Sequence, residues 1–197
     1  MKKIMFNDRF GLTKAVLDGR KTMTRRIAQP ATDKQISLGQ IDKDWYEDED
    51  GGIYIPLYKV DEVIAIAQSY KVLGYDPDSL GRDPKDLGIK GFMKDLAGWN
   101  NKMFVRAAGC KHHIRVTNVK IQQLQDISDE DCLKEGIVKF HDKARGDSYG
   151  VILSDNKGYW LSFTPKEAFA HLINKLSGKG TWDRNPYVWV YEFELVK

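Results

Sequence analysis

The sequence predicts an α+β domain: a closed or partly closed mixed barrel of strands with short helices at its ends. Three observations carry this. Its apolar segments are strand-length and lie far apart in the chain, as in Val63 to Ala67 and Tyr187 to Tyr191. Complete helix-start signals are few, the best being at Ser128 and Thr164. Strands and helices do not alternate in the regular way that a doubly wound sheet requires.

Taken in order, Lys3 to Phe6 reads as a short strand. A helix follows, with Asn7 or Asp8 as cap, Phe10, Val16 and Leu17 as apolar stripe and Gly19 as stop. Residues 29–52 read as loop. Ile53 to Tyr58 and Val60 to Tyr70 read as strands, the second apolar on both faces and therefore central. Gly74, Pro77, Gly81, Pro84 and Gly88 mark residues 74–98 as a loop-rich insertion. Strand character returns at 103–125, where Ile114 and Val116 share one parity and Val119 and Ile121 the other. Ser128-Asp129-Glu130-Asp131 opens a short helix to about Glu135, stopped by Gly136. Residues 137–163 read as a second insertion or hairpin. Thr164-Pro165-Lys166-Glu167 starts a helix whose apolar face is Phe169, Leu172, Ile173 and Leu176, with Gly178 as stop. The chain ends on its cleanest strand, Tyr187 to Leu195, which alternates aromatic or apolar residues with a second set. The whole is expected to be one domain, residues 1–197, with insertions at about 74–98 and 137–163.

The composition excludes several classes. The 197 residues carry 31 Lys+Arg and 28 Asp+Glu, a net charge of +3, with 5 Trp, 9 Tyr and 8 Phe. That aromatic mass argues against disorder, and the apolar runs are far below the ~20 residues of a membrane span. Two cysteines make no disulfide framework, so a cytoplasmic location and no membrane partner are expected. The charge is polarised. Residues 1–26 hold eight cations against two acids, and residues 99–120 hold five cations and no acid. If these segments meet they form an anion-attracting surface; the alternative is two ordinary solvated faces. A short RNA, a nucleotide or a nucleoside fits such a balance better than long nucleic acid does.

No cofactor motif is present: there is no phosphate loop, dinucleotide fingerprint or nucleophile elbow. Cys110 and His112 are a weak metal pair, with no Cys-x-x-Cys or His-x-x-x-His, so neither metal nor cofactor is expected. The informative segment is Gly19-Arg20-Lys21-Thr22-Met23-Thr24-Arg25-Arg26-Ile27, with four cations and two hydroxyls in seven consecutive residues. Arginine forks suit phosphate or carboxylate recognition. A lysine near a threonine suits nucleophile activation once burial or cationic neighbours remove its proton. The same residues also read as an exposed basic turn at a helix end. Glu135, an acid at the unfavourable end of a helix dipole, is the second point of interest. Trp99, Trp160 and Trp182 lie near loops and could stack on a base, whereas Trp189 reads as core.

These segments in order resemble the ASCH family, with its PUA-like barrel, and most nearly the longer ASCH-type proteins of phage and prophage genomes. The matching pieces are Ile4-Met5-Phe6-Asn7, Leu17 to Arg26, Asp61-Glu62-Val63, Ile114 to Val119, Leu124 to Cys132 with Glu135-Gly136, and Trp182 to Phe193. The resemblance implies a PUA-like mixed barrel that binds RNA or a modified nucleoside in a basic cleft. One small bacterial branch of the family hydrolyses the acyl amide of N4-acetylcytidine with a Lys-Thr-Glu set. By motif position that set falls on Lys21, Thr24 and Glu135, with Thr24 as nucleophile, Lys21 as proton acceptor and Glu135 orienting Lys21 or shuttling the proton. Arg20, Thr22, Arg25, Arg26 and Lys111 would bind the ligand, and backbone amides at 22–24 would hold an oxyanion. Two other readings stay open: a module that binds RNA without catalysis, and a phage accessory or assembly protein that contacts a protein partner.

Overall fold

A computed structural model describes residues 1–31, 45–74, 100–142, 146–153 and 158–196. The chain forms two compact units. The first comprises residues 1–6, 63–114 and 195–197, and the second residues 7–62 and 115–194.

In the first unit β1 (Lys3–Ile4) runs parallel to β5 (Val63–Ile66), with Lys3 beside Ala65 and Ile4 beside Ile66. The start of β6 (His113–Gln123) follows on the other side of β5. Ile64, Ala65, Ile66 and Ala67 are fully buried, as expected for a strand covered on both faces. The strand is shorter than its hydrophobic run implies. Tyr70 does not continue it but opens helix α2 (Tyr70–Leu73), because the Ser69 hydroxyl accepts the Val72 N–H as an N-cap. Ala65, Tyr70, Leu73, Val105 and Cys110 form the core here. Lys3 Nζ is drawn onto three backbone carbonyls, those of Lys102, Met103 and Val105.

In the second unit the body of β6, then β10 (Tyr187–Val196), then β2 (Met23–Ile27) lie side by side. β10 and β2 are antiparallel, from Val188 beside Ile27 to Glu192 beside Met23. Along β6, burial passes from Ile114 and Val116 to the half-buried Val119 and Ile121, the parity switch seen in the sequence. β3 (Tyr46–Glu47) and β4 (Ile53–Tyr54) form a small hairpin, and the strand expected at 53–58 is confined to its first two residues. Asp48 closes the hairpin turn by accepting from Gly52 N–H and the Tyr54 hydroxyl. β7 (Val138–Asp142), β8 (Gly146–Ile152) and β9 (Gly158–Ser162) make a three-stranded antiparallel meander in the region expected as a second insertion. The first expected insertion, 74–98, lies outside the described residues apart from Gly74.

Helix α1 (Leu12–Leu17) is capped by Gly11, not by Asn7 or Asp8. Asn7 Oδ1 instead accepts from Arg9 N–H, and Gly11 takes a left-handed φ of 62° against the Ile152 carbonyl, where a Cβ would collide. Helix α3 (Asp129–Lys134) starts on the Ser128 hydroxyl, which accepts Asp131 N–H. Helix α4 (Pro165–Ser177) starts on Thr164, which accepts Glu167 N–H, and buries Phe169, Leu172 and Ile173. A short helix α5 (Thr181–Arg184), which no sequence signal marked, precedes β10. The architecture is thus mixed α and β with several sheets.

Candidate active site

The site lies within the second unit, where the lead-in to β2 meets the end of α3. After α1 the chain turns at Gly19 (φ 72°), and Arg20 and Lys21 N–H both donate to the Ala15 carbonyl. Thr22 N–H donates to the Lys134 carbonyl, and Thr22 accepts from Phe193 N–H. The lead-in therefore caps α3. A helix end leaves carbonyls without intrahelical donors, and two of those here are taken by Thr22 N–H and by Lys21 Nζ, which reaches the Glu135 carbonyl at 2.8 Å. Gly136, at φ 102°, turns the chain away and leaves room for the Leu12 side chain, which a Cβ would press at 3.3 Å.

Lys21 is 2% exposed and Glu135 4% exposed. Lys21 Nζ donates to Glu135 Oε2 at 2.6 Å and to the Met23 carbonyl at 2.7 Å. An amine and a carboxylate 114 residues apart in the chain are thus in direct contact. Burial lowers the Lys21 pKa from its ordinary value. Glu135 opposes that shift, while Arg26 and Arg25 add to it.

Arg25 also lies in this cluster. Its guanidinium, fully buried, donates through Nη1 to Glu135 Oε1 at 3.2 Å and through Nη2 to Asp131 Oδ2 at 2.9 Å. Its charged carbon stands 5.9 Å from the centre of the Phe169 ring. Asp131 is also 3.7 Å from Lys134 Nζ at the surface. Two cations and two carboxylates are therefore packed together, which explains how an acid is tolerated at the C-terminus of α3. The sequence signal was available: Asp131 and Glu135 are four apart and share one face of the helix.

Strand parity divides the remaining residues. Phe193 N–H donates to Thr22 and Ala28 N–H to Tyr187, so alternation makes Thr24 and Tyr191 a hydrogen-bonded pair. The Thr24 N–H is used in the ladder, and Thr22 N–H is used on α3. Of the amides at 22–24, the one left facing the strand edge is that of Met23, the residue whose carbonyl Lys21 Nζ engages. The Thr24 side chain, buried, lies on the sheet face of Tyr191 and Arg26, away from Arg25. Tyr191 on that face receives the Leu57 N–H on its hydroxyl and packs edge-on to Tyr58 at 5.2 Å.

The other predicted residues are dispersed. Arg20 is partly exposed and pairs with Asp18 at 3.2 Å. Thr22 is half-buried and Arg26 exposed. Lys111 belongs to the first unit, where it is exposed and its N–H donates to Gln68 Oε1. Half of the basic segment is thus buried rather than an exposed turn. Trp189 is buried and its indole N–H has no partner among the described residues; Trp182 lies edge-on to Phe169 at 6.3 Å. Trp99 and the Trp160 side chain lie outside the described residues. Among the described residues no group of three or more His, Cys, Asp and Glu side chains is placed to hold a metal, and no helix is long and apolar enough to cross a membrane.

No protein-family model matches this chain, and no curated protein matches it. Among solved structures it is similar to the high-resolution crystal structure of an ASCH domain from Lactobacillus crispatus JV V101. The match covers 98% of this chain and 79% of that one, at 10% identity and a TM-score of 0.39.

Proposed function

We propose that the chain is an ASCH-type protein that binds RNA or a modified nucleoside and hydrolyses an acylated nucleobase amide such as N4-acetylcytidine. The observation that supports this is the buried contact of Lys21 with Glu135. Burial of the amine favours its neutral form, and the Glu135 side chain 2.6 Å away orients it. In the proposed reaction the Thr24 hydroxyl attacks the acyl carbon, and its proton reaches neutral Lys21 through an intervening water, because β2 turns the Thr24 side chain away from the face of Arg25 and Glu135. The C–N bond then breaks, Lys21 returns the proton to the departing amine, and an acyl-threonine ester is left. Water hydrolyses the ester by the same proton path and releases the carboxylic acid. Arg26, exposed on the Thr24 side of β2, meets the ligand.

Acetate release from N4-acetylcytidine tests the reading. Wild type turns over, and Lys21→Ala and Thr24→Ala each abolish release while both remain folded by circular dichroism. Absence of turnover across a panel of acylated cytidines overturns it. One observation favours the binding-only reading: Lys21 Nζ already donates to three acceptors, which is the arrangement of a protonated, structural lysine. That reading requires RNA affinity that falls with salt and a slope lowered by about 1 in Arg26→Gln. A salt-independent or undetectable RNA interaction removes it.

A further inference from the structure

We infer that Arg25, anchored by Asp131, is the positioning residue of the Lys21–Glu135 pair: it takes one carboxylate oxygen of Glu135 so that the other is aimed at the lysine amine. The inference rests on the reading of Lys21 and Glu135 as the reacting pair. A glutamate side chain at the end of a helix has several rotamers open to it. Here both oxygens are assigned, Oε1 to Arg25 Nη1 and Oε2 to Lys21 Nζ. Arg25 is held in turn by its second terminal nitrogen on Asp131, one helical turn before Glu135. The arrangement is not the one that maximises stability. An arginine that only braced α3 would place Nε and one terminal nitrogen on a single carboxylate in a two-point fork. Arg25 divides its terminal nitrogens between two carboxylates, turns Nη1 also toward Met23 Sδ, and leaves Nε buried with no partner among the described residues. An unsatisfied buried donor costs stability.

The charged groups that face Lys21 are Arg25 and Arg26 from β2 and Glu135 from α3; Asp131 and Lys134 lie behind Arg25. Removing Arg25 takes a cation away and frees both Glu135 oxygens for Lys21. Both changes make the amine hold its proton more tightly.

The test uses Arg25→Gln, Arg25→Lys and Asp131→Asn in the full chain. Lys21 Nζ is followed by nitrogen-15 NMR across pH, and acetate release from N4-acetylcytidine is measured alongside. In Arg25→Gln the Lys21 titration moves to higher pH, and kcat at pH 7 falls roughly 10- to 100-fold with KM changed less than twofold. Arg25→Lys keeps the charge and so a near-native titration, but cannot span both carboxylates, so kcat stays low. Asp131→Asn, at the half-exposed outer end, moves both readouts in the same direction by less and serves if Arg25→Gln does not fold. An unchanged Lys21 titration in a folded Arg25→Gln overturns the inference, as does full kcat in that variant. A wild type without turnover ends the proposed reaction, and the NMR titration then decides the positioning role by itself.

Discussion

Glu135→Gln is the most informative change to the buried cluster. The amide keeps the shape of the side chain but removes one of two carboxylates facing two cations. Arg25 retains Asp131, and Lys21 retains the Met23 and residue-135 carbonyls but loses the charged partner. Breaking a buried pair from one side costs about 3–5 kcal/mol. At roughly 2–4 °C per kcal/mol for a chain of this size, the melting temperature falls by roughly 6–20 °C. The pH dependence gives a sharper signature. The Lys21 pKa in the folded protein lies below its ordinary value of 10.5, so the unfolded chain binds more protons between those two points. The Lys21 contribution to stability therefore rises with pH through that window and is complete above 10.5. Loss of Glu135 removes an influence that holds the folded pKa up, so the window opens at lower pH in the variant. The difference between wild type and Glu135→Gln is thus largest on the low-pH side of that window and shrinks as pH rises towards 10.5. Urea unfolding at pH 6, 8 and 10 measures it. A loss below about 1 kcal/mol at pH 6, or one that grows with pH, refutes the reasoning.

Gly11→Ala should cost more than about 2 kcal/mol by chemical denaturation, because a left-handed φ is added to a collision with the Ile152 carbonyl. Ser128→Ala removes the N-cap of α3 and should cost about 1 kcal/mol, and Gly at the same position less. Tyr191→Phe leaves the Leu57 N–H without its 2.9 Å acceptor and should cost roughly 1–2 kcal/mol by urea unfolding. Burial pushes the Cys132 thiol up to about 12, so at pH 8 its alkylation by iodoacetamide should be slower than in urea by roughly a thousandfold or more, read by mass spectrometry. Labelling of Cys132 at the rate of a free thiol would mean that α3 opens readily.

Local signals with a direct mechanism were legible in the chain. The Ser128 and Thr164 caps, the stop at Gly136 and the alternation of Tyr187 to Leu195 each act over a few residues and lead to α3, α4 and β10. Signals that depend on a neighbour were less legible. Gly11 rather than Asn7 caps α1 because the Ile152 backbone approaches from 141 residues away. Tyr70 reads as the end of an apolar strand until Ser69 is seen capping a helix. At the site, the contact of Lys21 with Glu135 was expected from motif position, but the burial of Arg25 was not, because nothing local distinguishes Arg25 from Arg26.

That distinction comes from strand parity. β2 sends alternate side chains to opposite faces, and on one side α3 supplies Asp131 and Glu135. Arg25 falls on that side and is neutralised inside the protein; Arg26, one residue on, falls with Thr24 and stays exposed. Two adjacent arginines therefore have separable roles, one toward the Lys21–Glu135 pair and one toward what approaches from solvent. A one-residue slip of β2 against β10 would exchange them, turning Arg25 outward and Arg26 towards α3. Such a slip is opposed by the buried ion pairs and by the Thr22 bonds to Lys134 and Phe193, which fix the register before the strand begins. The same bonds that cap α3 thus decide which arginine faces outward.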